Sequence, residues 1–425
     1  MNREQEIVSA APHALEAEAR ARGAGVAVAD FDPECDPAFK EDPLGTILAA
    51  QQLGDVFYST AARGFWVITR HDLFKEICQQ PERYSNCETF AFYRNPPSVF
   101  HSPANLDPPE HVKVRKLINP LLTPGAVQRL EPRARASVAA IADEVAARGE
   151  CDFMSDVALR VPAEVFLEHM GLPLENSTEI VATRLLPGKL NASNDPGGVQ
   201  LAAAIAKVRG LFDEVVAERR RRPADDIPTY LLSQTIDGRP LTDEEMVNLC
   251  YTLLGTSLGT TASTMAFIFK LLAGNPAMRQ RSTATPDAIA GLVEEGLRCF
   301  PAIPLMSRTV RGDVDFHGIP WKDGDRLVLL LSAASADPDV FPSPETIDPG
   351  RQPNRHVAFG LGPHFCAGSH LARMELRVLL EEWHRRIPDY HLGDLSGLTH
   401  EVSVAVRMTT LPLVIDAAPP APAAV

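Results

Sequence analysis

The segment Thr242–Leu272 constrains the fold more than any other part of the chain. It is long and strongly apolar. It opens on Thr242-Asp243-Glu244-Glu245, where a hydroxyl and three acids suit the unpaired N–H groups and positive end of a helix. A helix with one polar face docks by the other face alone, but one this apolar has to be buried along much of its length. The chain must therefore wrap a large body around a central helix.

The remaining pattern supplies that body. Helices are predicted over Arg129–Arg148, Val199–Arg222, Asp287–Phe300 and Ala367–Ile387, the last two stopped by Pro301 and Pro388. Strand signals are fewer. Val56–Ser59 and Gly64–Thr69 read as a hairpin, with strands at Val314–Phe316, Ile319, Arg326–Leu331 and within Val404–Val414. Asp337–Asn354, rich in Pro, Asp and Ser, reads as a long ordered loop. The expected fold class is mainly α with small β-sheets. No Gly/Ser-rich linker and no repeat divides the 425 residues, which points to a single domain over 1–425. Residues 1 to about 30 read as an N-terminal extension, and the Ala/Pro-rich 417–425 as a disordered tail.

Charge and hydropathy narrow the setting. A net charge of −14 argues against a nucleic-acid partner. No apolar run is long enough for a signal peptide or membrane anchor, so a cytoplasmic protein with no membrane partner is expected. The seven cysteines are widely spaced and contain no CxxC pair, which speaks against a disulfide framework or a zinc site.

One cysteine has an unusual setting. In Phe359-Gly360-Leu361-Gly362-Pro363-His364-Phe365-Cys366-Ala367-Gly368, two glycines and a proline make a tight turn before a cysteine that opens a helix. A helix N-terminus favours a thiolate. The bland alternative is a buried structural cysteine. Six positions decide against it. Phe359, Gly360, Gly362, His364, Cys366 and Gly368 resemble the haem-binding motif of the cytochrome P450 family, a match that chance supplies on the order of once in a million such chains.

The resemblance spans about residue 40 to 415, strongest toward camphor- and terpineol-hydroxylase-like bacterial members. It implies the P450 fold, with haem b (iron protoporphyrin IX) between the central helix and the cysteine loop, and Cys366 as the metal ligand. Glu295-Gly296-Leu297-Arg298 resembles the ExxR motif, and Arg351 stands where its third member should be, which implies a structural network of Glu295, Arg298 and Arg351. His111 and Arg115, one helical turn apart, resemble the HxxxR motif. With Arg308, His356 and His364 they are implied as contacts of the haem propionates.

The central helix departs from the family. Thr260 aligns with its catalytic threonine, but Gly259 stands where an acid is usual, and Thr256-Ser257 replace a small pair. Three accounts stay open: a relay of Ser257, Thr256 and water; an acid from elsewhere or from the substrate; or poor coupling with use of peroxide. The bland reading is that the hydroxyls bond back to helix carbonyls.

Family analogy places substrate against Phe90, Phe92, Tyr93, Phe100, Leu258, Ile303 and Leu305, a wall suited to an apolar small molecule. Lys113, Arg115, Lys116 and Arg355 are expected to gather where an acidic ferredoxin, fed by its reductase, would be steered. The function expected is a ferredoxin-fed monooxygenase that uses O2 to oxidise that substrate. A peroxide-driven haem-thiolate enzyme, or a haem-thiolate protein that only binds or isomerises a ligand, are the rival readings.

Overall fold

The computed structural model describes residues 3–33, 36–87, 103–186, 195, 198–402 and 405–416. Phe90, Phe92, Tyr93, Phe100 and the tail 417–425 lie outside the described residues.

The central helix runs Asp243–Gly274. Thr242 and Glu245 form a reciprocal capping box at its start, so two exposed donors of the first turn are met. Twenty of its 32 residues are buried. Around it pack the helices Arg160–Phe166, Val199–Arg221 and Ser369–Arg386 and the strand Val406–Met408. Together with Pro124–Arg148 they enclose the largest apolar core. The apolar pattern of the helix is thus explained by neighbours on most of its sides.

A smaller sheet stands beside this body. Its six strands run in the order Ala27–Ala29, Val56–Ser59, Phe65–Ile68, Arg326–Leu330, Leu305–Val310 and Tyr84–Ser85. Val56–Ser59 pairs antiparallel with Phe65–Ile68, and Arg326–Leu330 joins the latter in parallel. The strand Leu305–Val310 lies inside the sheet, antiparallel to Arg326–Leu330. Its pattern is broken by Arg308, a buried cation where a strand core would carry an apolar residue, so alternation does not reveal it.

Residues 13–29 pack against this sheet. The helix Arg3–Gly23 buries Ala17 and Ala21, and Arg20 Nη2 donates to both oxygens of the buried Asp325 at 2.7 and 2.8 Å. Ala27–Ala29 then adds an edge strand. Small alanines, Arg20, the Tyr58 hydroxyl on Ala14 O and the half-buried Val26 and Val28 carry this docking, too little apolar surface to stand out in the sequence.

Candidate functional site

The cysteine loop is shaped by its backbone. Gly360 and Gly362 have φ of 68° and 71°, which L side chains rarely adopt. A Cβ on Gly362 would also lie 2.1 Å from the carbonyl oxygen of Cys78, so the loop rests directly on the end of the helix His71–Cys78. The Cys366 N–H donates to Phe359 O at 2.9 Å, which folds the loop back on itself. The next helix begins at Ser369, three residues later than the cysteine, and Gly368 is its cap. The Gly368 N–H, Arg115 and Arg373 favour a negative sulfur, yet burial outweighs them and pushes the Cys366 thiol up. The helix end alone therefore does not ionise this thiol. A metal ion held by Cys366 would supply the missing positive charge and favour its thiolate.

Beside the loop stand cationic and imidazole groups that have no carboxylate partner among the described residues. The His111 and His364 rings lie 4.0 Å apart between centroids. Both ring nitrogens of His111 and Nε2 of His364 are buried without a hydrogen-bond partner. Burial drives His111 down to about 4 and His364 to about 3. Arg308 is buried too, its guanidinium donating to Ser307 O at 2.7 Å and lying 3.9 Å from Cys78 Sγ. Among the described residues it makes no ion pair. Arg115 donates to Phe365 O at 2.9 Å, one residue from Cys366. Each unmet buried donor costs about 1–3 kcal/mol. A ligand with two carboxylates meets this set, and the residues therefore fit the propionates of haem.

His356 is placed elsewhere. Its Nε2 pairs with Glu294 at 3.1 Å and its Nδ1 accepts from the Ala358 N–H at 3.2 Å. Both nitrogens are spent on protein, so His356 is corrected from propionate contact to part of a cluster in which Arg373 also grips Glu294 at 2.6 and 2.9 Å. That cluster holds the Glu294 carboxyl at about 2, and Arg373 lies over the Phe359 ring at 4.6 Å.

Glu295, Arg298 and Arg351 come together. Arg298 donates to both Glu295 oxygens at 2.9 and 2.8 Å, and Arg351 Nε adds a third bond at 3.3 Å. The Asp348 N–H and Asn354 Nδ2 complete the set at 2.9 and 3.0 Å. The loop that leads to the cysteine is thus tied to one buried carboxylate.

On the central helix all three hydroxyls bond back to carbonyls. Thr256 Oγ1 donates to Thr252 O at 2.9 Å, Ser257 Oγ to Leu254 O at 3.0 Å, and Thr260 Oγ1 to Thr256 O at 2.8 Å. Leu258 is wholly buried in the main core, which corrects it from substrate wall to packing. Ile303 and Leu305 are half-buried at the entry to the inner strand.

A family model described as cytochrome P450 matches residues 194–285 and 289–384. The probable cytochrome P450 127A1 of Sinorhizobium fredii is 34% identical over 386 residues, 87% of this chain and 89% of that protein. The chain belongs to the cytochrome P450 family. The steroid C26-monooxygenase of Mycobacterium tuberculosis is 31% identical to this P450 over 80% of this chain and 92% of that protein. The crystal structure of cytochrome P450 CYP101C1 superposes with a TM-score of 0.82 at 29% identity, covering 92% of this chain and 98% of that one. The protein is therefore a P450 monooxygenase with haem b as its cofactor. Bound haem supplies the activation of dioxygen. Cys366 and the cationic pocket would hold it. No helix among the described residues is long and apolar enough to cross a membrane.

Composition gave no sign of a buried acid in this P450. Glu375, on the helix after the cysteine, is 1% exposed, with neither oxygen in a hydrogen bond of good geometry and the Thr261 hydroxyl facing it. Burial lifts its carboxyl from 4.5 to about 8. The folded chain then holds a proton that the unfolded chain releases. The resulting stability is complete below about pH 4.5 and is lost as pH rises through about 8. Glu375→Gln removes this dependence. Relative to the wild type, the variant should gain about 4 kcal/mol between about pH 5 and pH 9 in denaturant titrations. Parallel stability curves for the two proteins would contradict the assignment.

Proposed function

We propose that this P450 takes electrons from a ferredoxin with its separate reductase and hydroxylates an apolar small molecule in the cytoplasm. The observation that carries the reading is the cysteine loop set against His111, His364, Arg115 and Arg308, a thiol and an anion pocket on one ligand. In this reading Cys366 ligates the iron, the four basic residues hold the propionates, and Phe359, Gly360 and Gly368 shape the loop. Thr260, with Thr256 and Ser257, orders water on the distal side by rotating from its helix carbonyl. Ile303 and Leu305 face the substrate. Substrates of steroid or terpenoid size are favoured, since a relative is named for a steroid.

Electron supply is supported by the face around Cys366. Arg115 reaches that face by donating to Phe365 O, and the Phe365 side chain is 41% exposed there. Lys113 contributes less than its charge suggests, because Glu110 and Asp237 both pair with it.

Optical titration of the ferric protein with steroids, terpenoids, aromatics and fatty acids tests the substrate class, followed by turnover with NADH, reductase and ferredoxin. The expected result is a blue shift of the haem band with one class and an oxygenated product from it. Product with hydrogen peroxide alone, and none with ferredoxin, would replace this reading by a peroxide-driven one.

A further inference from the structure

Gly259 lacks the acid usual at its position, but the space beside it is not empty of charge. A Cβ built on Gly259 would lie 3.5 Å from Nη1 of Arg407 and 3.1 Å from Cδ2 of Leu185. Arg407 belongs to a two-stranded hairpin, His400–Val402 with Val406–Met408, and stands directly opposite Glu401 in its register. Its Nη2 donates to the Glu401 carboxylate. The two side chains are only 13% and 21% exposed.

The hairpin is fastened to the central helix. Ser263 Oγ donates to Val406 O, and Val406 N donates to Ala302 O at 2.9 Å. The His400 ring stacks on Phe267 of the helix, and its Nδ1 meets Lys40 O at 3.1 Å. The guanidinium beside Gly259 is therefore held by tertiary structure.

A largely buried guanidinium requires a carboxylate. An aspartate at 259 would be within reach of Arg407, and it would press on Leu185. In this chain the carboxylate comes from Glu401 on the hairpin, and the guanidinium lies in contact range of position 259. Acid at 259 and acid at 401 are alternatives around one cation.

We propose that Glu401, positioned by Arg407, is the acid that passes protons to the central helix beside Thr260. This inference rests on the reductase-dependent reading above. Placing one atom of O2 in a C–H bond and releasing the other as water consumes two electrons and two protons. The electrons come from the ferredoxin, and the protons come from solvent. Glu401 takes up a proton from solvent and hands it through water toward the Thr260 hydroxyl. Arg407 keeps its protons and is a positioning residue.

Two measurements on the full-length holoprotein test this. The first needs no turnover: Tm for wild type, Gly259→Asp, Glu401→Gln and the double variant. If both acids serve one guanidinium, Gly259→Asp should cost at least about 2 °C less in the Glu401→Gln background than alone. Additive losses would overturn the proposal. The second is the product formed per NADH consumed, with a ferredoxin, its reductase and a steroid that shifts the haem band. Glu401→Gln should lower this ratio roughly tenfold, a modest share of what a positioned acid contributes. Glu401→Asp should keep most of it, and Gly259→Asp should restore it in the Glu401→Gln background. An unchanged ratio in Glu401→Gln, at unchanged haem content, would overturn the proposal. Absence of any ferredoxin-driven product from the wild type would instead strike the electron-supply reading, and the Tm comparison would still decide whether Glu401 and an acid at 259 serve the same guanidinium.

Discussion

Glu295→Ala is expected to lower stability by about 3–5 kcal/mol, measured by denaturant unfolding, and to yield protein with little haem. The carboxylate is fully buried and accepts from Arg298, Arg351, Asn354 and the Asp348 N–H. Removing it strands Arg298, which is 2% exposed. Arg298 would keep its carbonyl bonds to Ser335 and Thr346 but lose its counter-charge. Domains are stable by only about 5–15 kcal/mol, so this loss is a large fraction of the total. The loop from Asp348 to Asn354 loses its common anchor at the same time, and it leads directly to the cysteine. Arg351→Ala should cost less, about 1–2 kcal/mol, because the Glu295–Arg298 pair survives. A Glu295→Ala protein within about 0.5 kcal/mol of wild type, the range of ordinary surface changes, would remove the network from any supporting role.

Cys366→Ser is expected to separate chemistry from folding. The backbone bond from residue 366 to Phe359 O does not need sulfur, and the turn is set by Gly360 and Gly362. Stability of the haem-free protein should therefore change by no more than about 1 kcal/mol. Serine oxygen is a hard, weakly acidic ligand and cannot replace a thiolate on haem iron. The thiolate-type absorption of the reduced carbon monoxide complex should vanish, and monooxygenase turnover should fall to background. A variant that keeps both would move the ligand to another cysteine. Cys78, buried 3.9 Å from Arg308, would be the one to test next.

Much of the site was legible because its parts are local in the chain. The loop 359–368 is one short motif whose glycines answer to backbone sterics. Glu295 and Arg298 share one helix face, so three residues of sequence suffice to pair them. The central helix announced its burial through the lack of charge along its middle. His356 was misplaced because a histidine near a motif says nothing about which neighbour takes its proton. Only the approach of Glu294 and Arg373 from two other helices settles that. Leu258 was misread in the same way, since a leucine packed in the core and one lining a cavity look alike in a helix.

The sequence by itself determined the helical body, the cysteine turn and the identity of the groups able to carry haem. These depend on backbone geometry and on residue chemistry within a few positions. The tertiary structure alone decided what surrounds each charged group. It left the His111 ring without an acceptor and Arg308 without a carboxylate among the described residues, buried Glu375 with no cation beside it there, and brought Arg407 with Glu401 against Gly259 from more than 140 residues away. The energy of a buried charge depends on its neighbours in space, and no local pattern records them.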